Sequence, residues 1–211
     1  ALNANWRLPE NHTSKWMSMM NTHAIRNRLL RLIKTKAILK GEFELSSGEI
    51  SDHYLDLRVI TLSAEGLYYV TKLMFDKIVS LNQDVTMIGG PELSAIPIVS
   101  SLVQYSYQVR HPIDGFIFRD KPKPYGLMKM IEGLVIEGSN IVIIDDVTTT
   151  GASVLRVAEY ISQLHCKVPL IMSIVDRGGG NRISNSGYSF HTLFKYEELL
   201  LETKVDAQKE P

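Results

Sequence analysis

Residues 141–153, Ile-Val-Ile-Ile-Asp-Asp-Val-Thr-Thr-Thr-Gly-Ala-Ser, decide how the rest of this chain is read. Four apolar β-branched residues, Ile141 to Ile144, are followed by two carboxylates, three threonines and a glycine. Beyond Gly151 the apolar residues Val154, Leu155, Val157, Ala158, Ile161 and Leu164 recur at helical spacing. The stretch therefore reads as a strand, a short polar loop and a helix N-terminus. A strand apolar on both faces is what a parallel sheet covered by helices on both sides requires. The expected class is α/β.

The loop has a definite chemistry. A helix N-terminus offers unpaired backbone N–H groups and a partial positive charge, and both suit a phosphate. Thr148, Thr149 and Thr150 can add donors, and Gly151 lets an anion approach without meeting a Cβ. Asp145 and Asp146 would repel a bare phosphate. They fit a ligand that also carries hydroxyls or a divalent cation, and a sugar phosphate with a vicinal diol and Mg²⁺ meets both conditions. A plain capped helix needs one acid and one hydroxyl, not two acids and three hydroxyls. In open α/β sheets ligands bind at the carboxyl ends of strands, where this loop falls.

Working outward, composition sets bounds. The 211 residues suffice for one α/β domain, and 45% hydrophobic with 22% charged residues is ordinary for a globular chain. Lys+Arg and Asp+Glu both total 23, so there is no basic excess to favour a nucleic acid or an acidic membrane. The lone Cys166 precludes an intrachain disulfide and fits a reducing, cytoplasmic setting. Six scattered histidines without metal-ligand spacing argue against zinc. No apolar run reaches the length of a membrane span. Residues 1–20 are read as a native extension or a cloning remnant, with Met17, Met19 and Met20 as candidate starts, and are left out of the fold. Residues 21–211 are expected to form a single domain, with 202–211 a frayed tail.

The remaining segments follow in order. Thr22 to Leu39 reads as a basic amphipathic helix. Gly41 to Arg58 reads as two short strands about a Ser-Ser-Gly turn, and Ser63 to Leu81 as a helix. Val85 to Ile88 is a short buried strand before a Gly89-Gly90-Pro91-Glu92 turn and a helix from about Ser94. That turn is either a pyrophosphate cradle or a plain βα connection. Gly115 to Phe118 is a strand running into the loop Arg119-Asp120-Lys121-Pro122-Lys123-Pro124-Tyr125-Gly126, which could close over a polyanion or be an exposed charged turn. Lys167 to Val175 is an apolar strand, after which Arg177 precedes three glycines. It is placed to fork onto a carboxylate or to pair with Asp176.

Four of these segments together resemble the type I phosphoribosyltransferases, and within them the orotate phosphoribosyltransferases. The stretch 141–153 resembles their phosphoribosyl pyrophosphate (PRPP) motif. The hood matches through Phe43, Leu45, Ser47, Gly48, Ser51, Tyr54, Asp56 and Arg58. The pyrophosphate-side loop matches through Gly89 to Pro97, and the catalytic loop through Arg119, Lys123, Tyr125 and Gly126, followed by Lys129 and Ile131 to Gly133. The resemblance implies a central, mostly parallel sheet flanked by helices, with a small N-terminal hood (about 21–62) on a core (about 63–201). It implies that Asp145, Asp146, Val147, Thr148, Thr149, Thr150, Gly151, Ala152, Ser153, Lys121 and Gly90 contact PRPP, and Tyr54, Thr149 and Arg177 contact orotate. It implies catalytic roles for Arg119, Lys123, Tyr125 and Asp146.

The same resemblance implies a Mg²⁺ cofactor held mainly by PRPP and water, and a homodimer whose loop 119–126 reaches the neighbouring subunit. Ser46, Ser94 and Asp120 stand where lysines are common, and Ala152 where a hydroxyl is. These exchanges thin the positive charge at the pyrophosphate, with Lys121 the candidate substitute. The implied activity converts orotate and PRPP to orotidine 5′-monophosphate and pyrophosphate. The alternatives are a purine phosphoribosyltransferase, which the hood with Tyr54 and Arg177 disfavours, and a non-catalytic PRPP-binding regulator.

Overall fold

A computed structural model describes residues 21–44, 50–121 and 130–201. Helix α1 (Thr22–Leu32) passes into a π-helical turn (Ile33–Ala37), then an antiparallel hairpin of β1 (Ile38–Glu44) and β2 (Ile50–Leu55). The short α2 (Arg58–Thr61) and the long α3 (Ala64–Val79) lead to β3 (Met87–Pro91), α4 (Ala95–Gln108), β4 (Asp114–Phe118) and β5 (Ile131–Glu132). Then come β6 (Asn140–Thr148), α5 (Ala152–Gln163), β7 (Lys167–Asp176), α6 (Gly180–Asn185), β8 (Phe190–Lys195) and α7 (Tyr196–Leu200).

Among the described residues six strands form the main sheet, in the order β5-β4-β3-β6-β7-β8. All neighbours are parallel except β5, which runs antiparallel to β4 at the edge. From β3 the chain steps through α4 to β4 on one side, then returns to lay β6 on the other. The strand order thus reverses between β3 and β6, and the crevice beyond their carboxyl ends is where such sheets bind ligands.

Side-chain alternation sends β6 residues to two separate cores. Val142 and Ile144 pack with α1, α3 and α4, through Leu29, Met74 and Ile98 among others. Ile141 and Ile143 pack with α5, through Val154, Val157, Ala158 and Ile161. Both layers are fully buried, as expected for a sheet with helices on each face. The expected helix at 63–81 is capped as its sequence suggests, since the Ser63 hydroxyl accepts from the Gly66 N–H at 3.1 Å.

Several boundaries differ from the sequence reading. The first helix stops short of Leu39, because Ile38 and Leu39 pair with Leu55 and Tyr54 across the hairpin. The Thr35 hydroxyl bonds back to the Arg31 carbonyl at 2.8 Å in the turn where the helix loosens. Gly89, Gly90 and Pro91 belong to β3 and not to a turn, and the connection is Glu92 to Ser94. Gly90 is there because β3 runs very close to β6: a Cβ would lie 1.9 Å from the Ile144 carbonyl oxygen and 2.7 Å from the Ala95 Cβ. Asp145 to Thr148 also remain strand, and the polar bend begins only at Thr149. The short elements α2, β5 and α6 carry too few residues for a periodic signal. The expected hairpin turn at 45–49, residues 1–20 and the tail 202–211 lie outside the described residues.

Candidate active site

The site grows from the end of β6. Adjacent strand residues point to opposite faces, so Asp145 continues the α5 side and Asp146 the other. Asp145 is buried, 4% exposed. One of its oxygens, Oδ1, accepts from the Ser94 hydroxyl at 2.6 Å and from the Asp146 N–H at 2.9 Å. The other, Oδ2, accepts from the Ser153 hydroxyl at 3.2 Å. Ser94 precedes α4 and Ser153 opens α5, so one carboxylate joins the starts of two helices.

Burial pushes the Asp145 carboxyl up to about 7; the Ser94 hydroxyl opposes the rise and the neighbouring Asp146 charge adds to it. Burial also raises Asp146, against the Val147 N–H, a bond with Asp145 and the Arg58 charge. Asp146 Oδ1 accepts from the Val147 N–H at 2.7 Å. Arg58 starts α2 at the root of the hairpin, so the hood's base supplies the positive field that this second acid feels.

The raised Asp145 has a consequence for stability. Between its unfolded value near 3.8 and about 7 the folded chain keeps a proton that the unfolded chain has lost. Stability therefore falls as pH rises through that window and levels off above it. At about 1.4 kcal/mol for each pH unit the upper bound is about 4 kcal/mol. Asp145→Asn removes the penalty and is expected to be the more stable protein at pH 8, with the gap closing toward pH 4. Urea melts at both pH values check this, and a gap independent of pH would refute the buried charge as its cause.

Past Asp146 the chain bends. Thr148 is buried, its carbonyl accepts from the Arg177 N–H at 2.8 Å, and its hydroxyl has no partner among the described residues. Thr149 and Thr150 are exposed, and the Thr150 hydroxyl accepts from the Ala152 N–H at 3.3 Å. Gly151 takes a left-handed φ of +73° as the N-cap of α5, and a Cβ there would press on Ile183 at 3.0 Å. The bend thus backs onto α6, and Thr149 and Thr150 stand exposed at the head of α5.

Arg177 follows β7. Its guanidinium lies over the Tyr196 ring at 4.6 Å. Asp176 accepts from the Gly178 and Gly180 N–H groups at 3.0 and 3.1 Å, which fixes the glycine turn behind it.

Across the crevice, Arg119 leaves β4. Its Nη1 lies 3.4 Å from Glu132 Oε1 and 3.8 Å from Glu92 Oε2. Among the described residues no trio of His, Cys, Asp or Glu is grouped to hold a metal.

No family model matches the chain. It is 36% identical over 191 residues to the orotate phosphoribosyltransferase of Tropheryma whipplei (strain Twist), covering 90% of this chain and 88% of the relative. With that of Bradyrhizobium diazoefficiens it shares 35% over 187 residues, covering 86% and 99%. The chain belongs to the orotate phosphoribosyltransferase family.

The orotate phosphoribosyltransferase of Mycobacterium tuberculosis superposes with a TM-score of 0.71 at 27% identity, over 84% of this chain and 99% of that one. The expected type I phosphoribosyltransferase fold is therefore present. Set against the residues expected for an orotate phosphoribosyltransferase, the structure gathers Asp145 to Ser153 and Arg177 around one bend. Ser153 gives its hydroxyl to Asp145. Gly90 is buried strand, with a packing role at the β3–β6 contact. Tyr54 is 37% exposed on β2, its ring 5.6 Å from Phe43. Lys121 is exposed, and its carbonyl accepts from Arg119 Nε at 3.3 Å. Lys123 and Tyr125 lie outside the described residues, as do Gly126 and Lys129. The sequence reading assigned no role to Glu92, Ser94 as a partner of Asp145, or Arg58 as a partner of Asp146. Only the pairing of β3 with β6 brings Ser94 to a residue 51 positions away.

Proposed function

We propose that this chain transfers the phosphoribosyl group of PRPP to orotate, releasing pyrophosphate and forming orotidine 5′-monophosphate in pyrimidine (UMP) biosynthesis. The observation that carries this reading is the acid pair near the end of β6 ahead of the Thr149–Gly151 bend. The bend and the head of α5 take the 5′-phosphate, and the acids take the ribose hydroxyls. Asp145 is already bonded by Ser94 and Ser153, so Asp146 is the principal ribose contact and Asp145 its buttress. Arg177, held flat by Tyr196, meets the orotate carboxylate, with Tyr54 and Thr149 against the ring.

Arg119 and the cations after it meet the leaving diphosphate. Arg119 exchanges Glu92 and Glu132 for diphosphate oxygens when PRPP binds. A Mg²⁺ bound with PRPP would supply further neutralisation of the leaving group, beside Arg119. The paired, desolvated acids suit a ligand that arrives with hydroxyls and a cation. Catalysis then rests on positioning and charge neutralisation and needs no covalent nucleophile. A homodimer in the cytoplasm completes the reading. Among the described residues no helix is long and apolar enough to cross a membrane.

The test is pyrophosphate release from PRPP with orotate, adenine or hypoxanthine. Release with orotate alone, abolished by EDTA and restored by Mg²⁺, is the expected result. Release with a purine base would reassign the substrate, and PRPP binding without release would make the chain a regulator.

A further inference from the structure

Asp120 stands where the family resemblance leads one to expect a lysine, and the backbone about it is held from several sides. Arg156 lies on α5, one turn beyond the phosphate bend. Its Nη2 donates to the Arg119 carbonyl at 3.3 Å and to the Asp120 carbonyl, and its Nη1 lies 3.8 Å from Asp120 Oδ1. The same guanidinium sits 5.3 Å above the Phe118 ring, which packs edge-on against Tyr160 of α5 at 5.2 Å. Two further contacts hold the same short stretch. The Asp120 N–H donates to Glu92 Oε1 at 3.1 Å, and the Arg119 N–H donates to the Met130 carbonyl at 2.8 Å. Residues 118–120 are therefore gripped from α5, from the turn after β3 and from the strand side of β5.

We infer that Arg156 is a positioning residue for Arg119: the bonds its Nη2 makes to two consecutive carbonyls fix where the chain leaves β4, and so where the Arg119 guanidinium can reach. This rests on the reading of Arg119 as a contact of the leaving diphosphate. The bland alternative is a surface ion pair between Arg156 and Asp120. The Arg156 side chain is 48% exposed, and an exposed pair at 3.8 Å contributes little. The two alternatives predict different things. The guanidinium lays its plane over the Phe118 ring while Nη2 at its edge donates to both carbonyls; a compact ammonium has donors enough but no plane to stack, so it does not hold the same geometry. A fixed backbone matters to rate even where it matters little to stability, because a misplacement of about 1 Å can cost up to about a hundredfold.

Steady-state kinetics of Arg156→Ala, Arg156→Lys, Asp120→Asn and Arg119→Ala, with Arg119→Ala/Arg156→Ala, separate the cases. Arg156→Ala is expected to lower kcat about tenfold with both KM values within about twofold of the parent. Arg156→Lys keeps the charge and does not restore the rate. Asp120→Asn keeps both carbonyls and stays near the parent rate. The double variant is no slower than Arg119→Ala alone, since a positioning residue has nothing left to position. Parent-like kcat in Arg156→Ala, rescue by lysine, or full additivity in the double variant would each overturn the inference. An unchanged kcat in Arg119→Ala would instead overturn the reading of Arg119 itself. Thermal melts of the same variants are expected to agree with the parent within a few degrees, so the rate loss is not loss of fold.

Discussion

Asp146→Asn is expected to cut kcat/KM for PRPP by about 10²- to 10³-fold in a protein that still folds. A carboxylate can accept from both hydroxyls of a vicinal diol, whereas an amide turns one of its two acceptors into a donor facing a donor. Hydrogen bonds to a charged group are worth about 1.5–3 kcal/mol each, so weakening two of them costs about 3–4 kcal/mol of transition-state binding. Asp146 is half-buried, and one of its oxygens already accepts from the Val147 N–H. Asparagine can keep that bond, which is why the fold should survive. Arg58 loses the charge it faces and adds to the loss. Initial rates at varied PRPP and fixed orotate measure the effect. Kinetics indistinguishable from the parent would remove the ribose from this carboxylate.

Gly90→Ala is expected to have the largest effect on stability. The added methyl would lie 1.9 Å from the Ile144 carbonyl oxygen and 2.7 Å from the Ala95 Cβ. Both neighbours are fully buried, one in the central strand and one at the start of α4, so neither can yield cheaply. Overpacking against side chains costs about 1–3 kcal/mol, and a backbone neighbour should place this variant at or above the top of that range. For a chain of this size each kcal/mol lowers the melting temperature by about 2–4 °C, so a fall of roughly 10 °C or failure to fold is expected. Gly138→Ala is the control. Gly138 has a left-handed φ of +82° but nothing within 4 Å, so only the backbone penalty of about 1–2 kcal/mol applies. Equal losses in the two variants would mean that the close approach of β3 to β6 is not what fixes residue 90.

The part of the molecule most legible in the sequence is the part with the strongest local pattern. The β6–α5 unit, the helices at 64–79 and 95–108 and the strand at 167–176 follow directly from apolar spacing. The glycines and proline at 89–91 misled because such residues usually mark turns, and here they permit contact inside a sheet. The acids were read as loop because carboxylates seldom sit in a central strand. Here the pairing of β6 with β7 runs on through Asp145 to Thr148, so the polar residues begin before the regular pairing stops. What stayed hidden depends on long-range pairing. Ser94 reaches Asp145 over 51 positions, Arg156 reaches the 119–120 backbone over 36–37, and Asp120 reaches Glu92 over 28. No local period encodes such contacts, and Ser94, first read as a lost lysine, acquires its role only through them.

The two hydroxyls on Asp145 carry one last implication. They come from separate helix heads and hold separate oxygens, so either can be lost while the acid stays tethered by the other. Substitutions at 94 and at 153 are therefore two independent dials on how freely a single carboxylate answers an incoming solute, and turning both leaves it held by the Asp146 N–H alone.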